Sequence, residues 1–332
     1  MATLKDIAKE LNVNISTVSR ALNDSNEVGD ETKKLVQETA KRLHYVPNLS
    51  ARALVGKSTK LVGVIVPEIR SNHYVRVINH IETELKKHHY SFIFGKTNFK
   101  PENDIYYLNL FSQRKVDGII IAGPVFKNIK KTFDEIQSIY HRPILVMEAY
   151  IEYPNYDYVQ IDNEYGIEEA VRHLVSKGIR VFGYVGDKLS STMRVPYFKE
   201  ALASNSLSLK KEFIKIGSER FELGGYMRMK ELLGQKKLPE AVFASYDHMA
   251  LGAMKAIHEA GLKIPKDISI FGYDNINESE YMYKSLTTIA PPIEEMTKIG
   301  ISTLIEKIEN DGEKTIRHIS LKPKLIVRES TI

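Results

Sequence analysis

Apolar residues near the N-terminus recur at helical spacing and predict short amphipathic helices. The first helix covers residues 4–11, and Thr3 can cap it together with Asp6 three residues on. A break at residues 12–14 separates it from a second helix that begins near Ile15. Two short helices joined by so tight a break are typical of a helix–turn–helix, in which the second helix enters the major groove of DNA.

A third helix is predicted after a polar stretch. Asp30 can cap it, its apolar residues fall within 35–43, and Pro47 is expected to stop it because proline cannot continue a helix. No strand-like run occurs in residues 1–46, which therefore read as an all-α head.

From residue 60 the pattern changes to short apolar runs that alternate with amphipathic helical stretches. The runs lie at 61–66, 90–94, 116–121, 143–147, 158–161, 180–186, 241–247 and 268–274, and the clearest helical stretches at 75–89, 101–114 and 127–140. Strand, helix and strand at this spacing predict βαβ units, with parallel sheets covered by helices.

Two sets of these units, roughly 61–160 and 162–290, predict an α/β core of two similar parallel-sheet lobes. The last stretch, about 287–327, is expected to supply segments that return to the lobes. We therefore expect a head over 1–46, a linker over 47–60 and a two-lobed core over 61–332.

Composition narrows the class of protein without fixing its function. The chain has 332 residues, 27% of them charged, and no cysteine, which excludes disulfides, thiolate metal sites and a cysteine nucleophile. The N-terminus lacks the apolar core of a signal peptide, and no apolar run reaches the roughly 18 residues of a membrane span. A cytoplasmic protein with no membrane association is expected.

The excess of positive charge is concentrated at the N-terminus. Residues 1–60 hold 10 Lys and Arg against 7 Asp and Glu, whereas the whole chain has a net charge of +5. A locally basic segment suits a polyanion, although a solvated surface explains the same balance.

The second helix carries side chains suited to reading base edges. Arg20 can make a bidentate contact with guanine, Ser16 and Thr17 can reach bases or phosphates, and Ile15 can touch a thymine methyl. The spacing of the helices is also consistent with a small helical domain that binds a protein or binds nothing.

The string TLKDIAKELNVNISTVSRALND (3–24), with VDGIII (116–121), IDNEYG (161–166) and the stretch 247–275, resembles the LacI/GalR family of bacterial transcription regulators. The resemblance covers essentially the whole chain. It implies a three-helix DNA-binding head, a linker that forms a hinge helix on operator DNA, and a core similar to periplasmic sugar-binding proteins.

The resemblance also implies how the linker functions. The segment Asn48–Leu54 becomes helical on the operator, and Leu54 enters the minor groove, where an apolar wedge opens a base step in return for a bend. The residues expected to contact DNA are Thr3, Ile15, Ser16, Thr17, Ser19, Arg20, Asn23, Asn48, Arg52, Ala53 and Leu54.

An effector site is expected in the cleft between the lobes, because ligands of open α/β sheets bind at the carboxyl ends of strands. The residues that the resemblance places there are His73, Tyr74, Asp162, Arg194, Arg220, Asp247 and Asp274. Carboxylates with an arginine favour a ligand rich in hydroxyl groups, so a sugar is expected. His73, Arg70 and Arg220 leave a phosphorylated or acidic ligand open, and a nucleobase is also open.

The sequence departs from the family pattern beside the cleft. Tyr197, in Arg194-Val195-Pro196-Tyr197-Phe198, replaces a glycine common among relatives, so the ligand need not be that of a familiar relative.

The sequence contains no complete enzyme motif. GKST at 56–59 and GKT at 95–97 resemble the end of a phosphate-binding loop, but Ala51 and Tyr90 stand where its first glycine is required. The histidines show no metal-ligand spacing. We expect no enzyme, no cofactor and no metal.

The sequence therefore predicts a homodimeric repressor that binds a pseudopalindromic operator under the control of a small ligand. Two alternatives stay open, namely control by a partner protein and a sugar-binding transport component.

Overall fold

The computed structural model describes residues 2–22, 25–45, 58–124, 130–139, 141–148, 155–310 and 315–332. The chain divides into two compact units, residues 1–59 and 60–332. The predicted start of the core at residue 61 lies beside this division. Most of the predicted linker, with its residues Asn48, Arg52, Ala53 and Leu54, lies outside the described residues, as does Asn23.

Three helices form the described part of the smaller unit: α1 (Leu4–Leu11), α2 (Ile15–Leu22) and α3 (Asp30–Arg42). Thr3 caps α1 and forms a reciprocal pair with Asp6, as the sequence predicts. The prediction that Asp30 caps α3 is wrong by one residue, since Gly29 is the cap and Asp30 begins the helix. There its carboxylate suits the positive end of the helix dipole.

The helices of this unit share one small core, built from the apolar stripes that the sequence displays. Ile7, Val18, Ala21 and Val36 are fully buried in it. The α2 residues that point inward, Val18 and Ala21, leave the opposite face of that helix to solvent.

The first lobe of the larger unit is a six-stranded parallel sheet in the order β11-β5-β4-β3-β1-β2. Its strands are β1 (Leu61–Val66), β2 (Ser91–Lys96), β3 (Gly118–Ala122), β4 (Ile144–Met147), β5 (Asp157–Ile161) and β11 (His318–Leu321). Its helices are α4 (Asn72–Lys87), α5 (Pro101–Gln113), α6 (Lys130–Ile139) and α12 (Ile293–Glu309), and α12 is the one that comes from far along the chain.

The second lobe is a six-stranded sheet in the order β12-β10-β9-β8-β6-β7. Its strands are β6 (Phe182–Asp187), β7 (Ile214–Gly217), β8 (Ala241–Ala244), β9 (Ser269–Tyr273), β10 (Thr287–Ala290) and β12 (Lys324–Ile326), of which β12 alone among the described strands runs antiparallel, against β10. Its helices are α7 (Asn163–Ser176), α8 (Lys188–Ser204), α9 (Phe221–Leu233), α10 (Asp247–Glu259) and α11 (Glu278–Tyr281), with a 3-10 turn at Lys211–Phe213.

The two lobes have the same architecture because their strands are apolar on both faces. Strands β1, β3, β4, β8 and β9 are buried almost throughout, which is typical of parallel strands covered by helices on each side. This confirms the predicted α/β core of two parallel-sheet lobes.

The chain passes between the lobes after β5, after β10 and after β11. These crossings place the carboxyl ends of both sheets around one shared cleft. None of the helices in the described ranges combines the length and apolar character that a membrane span requires.

Candidate functional site

The exposed face of α2 presents the side chains predicted to read DNA. Ile15 is 40% exposed, Ser16 and Arg20 are exposed, and Thr17 is half-buried. Ser19 is half-buried on the same short helix. The fold thus presents Ile15, Ser16 and Arg20 outward while Val18 anchors the helix in the core.

Arg20 is held only loosely on this surface. Its Nε lies 3.2 Å from a carboxylate oxygen of Glu27, and both side chains are more than half exposed. Exposed ion pairs of this kind contribute little stability, so the guanidinium can leave Glu27 for another partner at small cost.

Thr3 has a different role in the structure. Its hydroxyl donates to Asp6 Oδ2 at 2.8 Å and accepts from the Asp6 backbone N–H. Its main contribution is therefore the start of α1, and a DNA contact by Thr3 stays a prediction.

In the larger unit, a cavity of about 320 Å³ lies in the cleft between the lobes. It is bounded by residues that follow the strands of both sheets: Glu68 and Ser71 after β1, Phe99 after β2, Pro124 after β3, Glu148 after β4, Leu189, Ser190 and Thr192–Arg194 after β6, Arg220 after β7, Tyr246 after β8 and Asp274 after β9. This is the position at which open α/β sheets bind ligands.

Five of the seven predicted effector residues line this cavity, namely His73, Tyr74, Arg194, Arg220 and Asp274. They come from both lobes, so the structure brings together residues that are up to 201 positions apart in the sequence.

Asp162 and Asp247 do not line the cavity. Asp162 caps α7 by accepting the Tyr165 backbone N–H at 3.0 Å. Asp247 is completely buried and accepts from Thr288 Oγ1 at 2.6 Å and from the Ile276 backbone N–H at 3.0 Å. Both carboxylates accept hydrogen bonds from the protein itself, and an effector contact by either stays a prediction.

Burial and the nearby Asp274 raise the pKa of Asp247 to about 8. A largely neutral carboxyl is consistent with its interior position, since an isolated charge there would be costly. Asp247 therefore stabilises the loop that carries Asp274.

The carboxylate of Asp274 lines the cavity close to two basic side chains. Its Oδ1 lies 3.7 Å from His73 Nδ1 and 3.7 Å from Arg194, distances longer than hydrogen bonds. Burial raises the pKa of Asp274, and the charges of His73 and Arg194 partly oppose that shift. Its φ of 104° is a backbone value that side chains other than glycine rarely adopt.

His73 joins carboxylates of the two lobes. Its Nε2 is hydrogen-bonded to Glu148 of the first lobe, and its Nδ1 faces Asp274 of the second. Burial disfavours the charged imidazolium and lowers the pKa of His73. The charge and hydrogen bond of Glu148, together with the charge of Asp274, outweigh this effect, so the pKa is raised. The ring therefore lies between one carboxylate from each lobe, and both favour its imidazolium form.

The guanidinium carbon of Arg194 lies over the ring of Tyr273, 4.2 Å from its centroid, and the guanidinium donates a hydrogen bond to the Ser245 carbonyl. Tyr197, the departure from the family pattern, packs against the core of the second lobe instead of the cavity.

The site also contains residues that the sequence analysis did not select. Glu68 and Glu148 line the cavity, and Glu148 Oε2 is buried without a hydrogen-bond partner among the described residues. Ser190 Oγ is likewise buried without a hydrogen-bond partner among the described residues. Both offer hydrogen bonds to a ligand, and neither belongs to a motif from which it could have been recognised.

Comparison with known proteins identifies a family for each of two parts of the chain. Residues 3–48 match the family described as bacterial regulatory proteins, lacI family, and residues 171–331 match the periplasmic binding protein-like domain.

Curated relatives span the same length as this chain. The HTH-type transcriptional repressor PurR of Mannheimia succiniciproducens is 32% identical over 334 residues, which cover 99% of this chain and 98% of that protein. PurR of Klebsiella pneumoniae is 31% identical, covering 99% of this chain and 97% of that protein.

Solved structures share the fold. The Lac repressor dimer bound to operator and the anti-inducer ONPF superposes with a TM-score of 0.87 at 24% identity, covering 100% of this chain and 99% of that one. The complex of the transcriptional regulator CelR with cellobiose gives a TM-score of 0.72 at 23% identity, covering 99% of this chain and 100% of that one.

Proposed function

Because this chain belongs to the LacI family of bacterial regulatory proteins, we propose that it is a homodimeric repressor whose operator affinity is set by a small polar ligand in the interlobe cleft. The observation that carries the proposal is the conjunction of an exposed recognition helix in one unit with a cavity lined from both lobes in the other. We place the protein in the cytoplasm, where its DNA target is, and assign it no enzymatic activity.

The coupling follows from the geometry of the cleft. Hydrogen bonds join the lobes from Asn72 to Glu278 and from Arg76 to the carbonyl oxygens of Asp274 and Asn275. A ligand that contacts both rims favours one relative pose of the lobes over another. It can shift the equilibrium only by the difference in its affinity for the two poses, and it changes operator affinity by the same coupling energy.

A sugar fits the lining of the cavity. Glu148 and Asp274 supply acceptors for hydroxyl groups, while Tyr74 and Phe99 supply apolar ring faces. The CelR complex shows that a core of this fold accommodates cellobiose in that protein. Thermal unfolding with mono- and disaccharides tests the proposal, because a ligand at 100 times its Kd stabilises the native state by about 2.7 kcal/mol.

Replacement of Arg20 with alanine is expected to weaken specific operator binding by roughly 1–3 kcal/mol and to relax the preference at one base position. The reason is that the ion pair of the guanidinium with Glu27 is exposed, so Arg20 can exchange this partner for a base edge at small cost. Competition binding with operators substituted at each position provides the measurement. An equal loss on all sequences would instead mean that Arg20 contacts phosphate.

The dimer surface is expected on the second lobe. Exposed apolar side chains gather there on α9, α10 and the loop around α11: Leu223, Met227, Leu251, Tyr281 and Tyr283. Helices α9 and α10 pack closely at Gly224 and Gly252. Leu223 and Leu251 are the residues that immediately precede these two glycines. Clusters of exposed apolar residues often mark interaction sites, and a C2 dimer buries the same surface of both copies.

A charge at Leu223 should therefore disrupt the dimer. We expect Leu223→Asp to shift sedimentation equilibrium toward the monomer, because a buried unpaired carboxylate is costly at an interface. Tyr106→Asp, at an exposed apolar residue of the first lobe, is the matched control. Unchanged association of Leu223→Asp would exclude this surface.

A further inference from the structure

Arg220 has the chemistry of an anion receptor at the cleft. Its guanidinium lines the cavity, 5.1 Å from the ring centre of Phe99 and 4.7 Å from that of Phe221. A guanidinium held in a fixed plane binds carboxylate or phosphate through two parallel hydrogen bonds. From the sequence alone, Arg220 leaves an acidic or phosphorylated ligand open.

The structure shows that this receptor is already occupied by the protein. Glu68 of the first lobe accepts from both terminal nitrogens of Arg220, each at 2.8 Å. On its other edge, Arg220 Nε lies 3.6 Å from Asp187 Oδ2, and that carboxylate is nearly completely buried. Burial alone would lower the pKa of Arg220, but the hydrogen bonds and charge of Glu68, together with the charge of Asp187, raise it.

An incoming anion would have to displace a carboxylate that is itself only 8% exposed. Once displaced, Glu68 would be an unpaired charge beside the cleft, which makes the exchange unfavourable. The other basic side chains of the lining also have a carboxylate nearby: His73 is hydrogen-bonded to Glu148, and Arg194 lies 3.7 Å from Asp274.

We propose that Glu68 is a specificity-determining residue, which restricts the cleft to uncharged, hydroxyl-bearing ligands by occupying the anion-binding edge of Arg220. The inference rests on the proposed function of the cleft as the effector site, and it narrows the ligand class to neutral polyols. The ion pair between Glu68 and Arg220 also links the two lobes, because Glu68 belongs to the first lobe and Arg220 to the second.

The test is a gain of anion binding in Glu68→Gln, measured on the full-length protein with inorganic phosphate as the probe. Thermal unfolding and calorimetric titration are run at constant ionic strength, set with sodium chloride. We expect phosphate to bind the variant at least about tenfold more tightly than the wild type. The reason is that the substitution removes the carboxylate from the two terminal nitrogens of Arg220, which can then bind phosphate in a bidentate manner.

Two controls separate the cleft from the rest of the surface. Glu82→Gln removes the same charge from an exposed ion pair of α4 and should leave phosphate binding unchanged. In Glu68→Gln/Arg220→Gln, the gain should disappear. If Glu68→Gln does not fold, Glu68→Asp is used, since the shorter side chain withdraws the carboxylate and should give a smaller gain.

Two results would overturn the proposal: tight phosphate binding by the wild type that Arg220→Gln abolishes, or no gain in a folded Glu68 variant. The phosphate titration involves neither DNA nor the natural effector. Its failure is therefore distinguishable from a failure of operator binding, which would overturn the proposed function instead.

Discussion

Asp274→Asn is expected to shift the response of operator binding to much higher effector concentrations while leaving operator affinity without effector unchanged, if the effector is an inducer. The carboxylate of Asp274 lies in the cavity with its charged neighbours 3.7 Å away, so it can accept hydrogen bonds from a ligand. Loss of a hydrogen bond to a charged group costs about 1.5–3 kcal/mol, which lowers ligand affinity roughly 10- to 150-fold.

Asparagine is the informative substitution because of the backbone at this position. Asp274 has a φ of 104°, a value that asparagine tolerates better than alanine, so Asp274→Ala would add backbone strain to the loss of charge.

The matched control is Asp162→Asn. Asp162 is also a carboxylate at the end of a strand, yet it caps α7 outside the cavity, and asparagine is an equally good cap. Dose–response curves for operator release, measured with a sugar that stabilises the wild type, provide the test. An unchanged curve for Asp274→Asn would remove Asp274 from the site.

Gly252→Val is expected to destabilise the native state by about 3 kcal/mol or more, since overpacking of a tight contact forces the backbone to move. A side-chain carbon at residue 252 would lie 1.8 Å from the Glu222 carbonyl oxygen, and one at Gly225 would lie 1.9 Å from that of Met249. Helices α9 and α10 therefore pack backbone to backbone, and a valine at Gly252 must separate them.

Gly234→Ala is the control for this substitution. Its nearest neighbour is 3.5 Å away and its φ is −73°, so alanine fits without strain. Urea unfolding followed by circular dichroism gives the comparison. If Gly252→Val unfolded at the same urea concentration as the wild type, the close packing of α9 on α10 would be contradicted.

The sequence predicts most of this architecture because its main signals are local. The stripe from Leu4 to Leu11, the capping pair Thr3 and Asp6, and the apolar run of β1 each specify an element without help from the rest of the chain. Strand β7 is less apparent, since Ile214–Gly217 is a short edge strand with little burial.

The candidate site is less predictable because proximity across the cleft has no local signal. Asp247 follows a strand as Asp274 does, yet the side chain of Thr288 and the backbone of Ile276 capture it. Glu68 shows the converse, since nothing near it in the sequence indicates its pairing with Arg220, 152 residues away. Such assignments depend on how the two lobes meet.

Specific DNA recognition is the most direct test of the central claim. The full-length protein is incubated with a pool of randomised duplexes, and the bound fraction is recovered and sequenced over successive rounds. The account predicts enrichment of a site with two-fold symmetry, whose half-sites Arg20→Ala reads less selectively. Binding that stays independent of sequence and falls steeply with salt would contradict it, because non-specific phosphate contacts alone behave in that way.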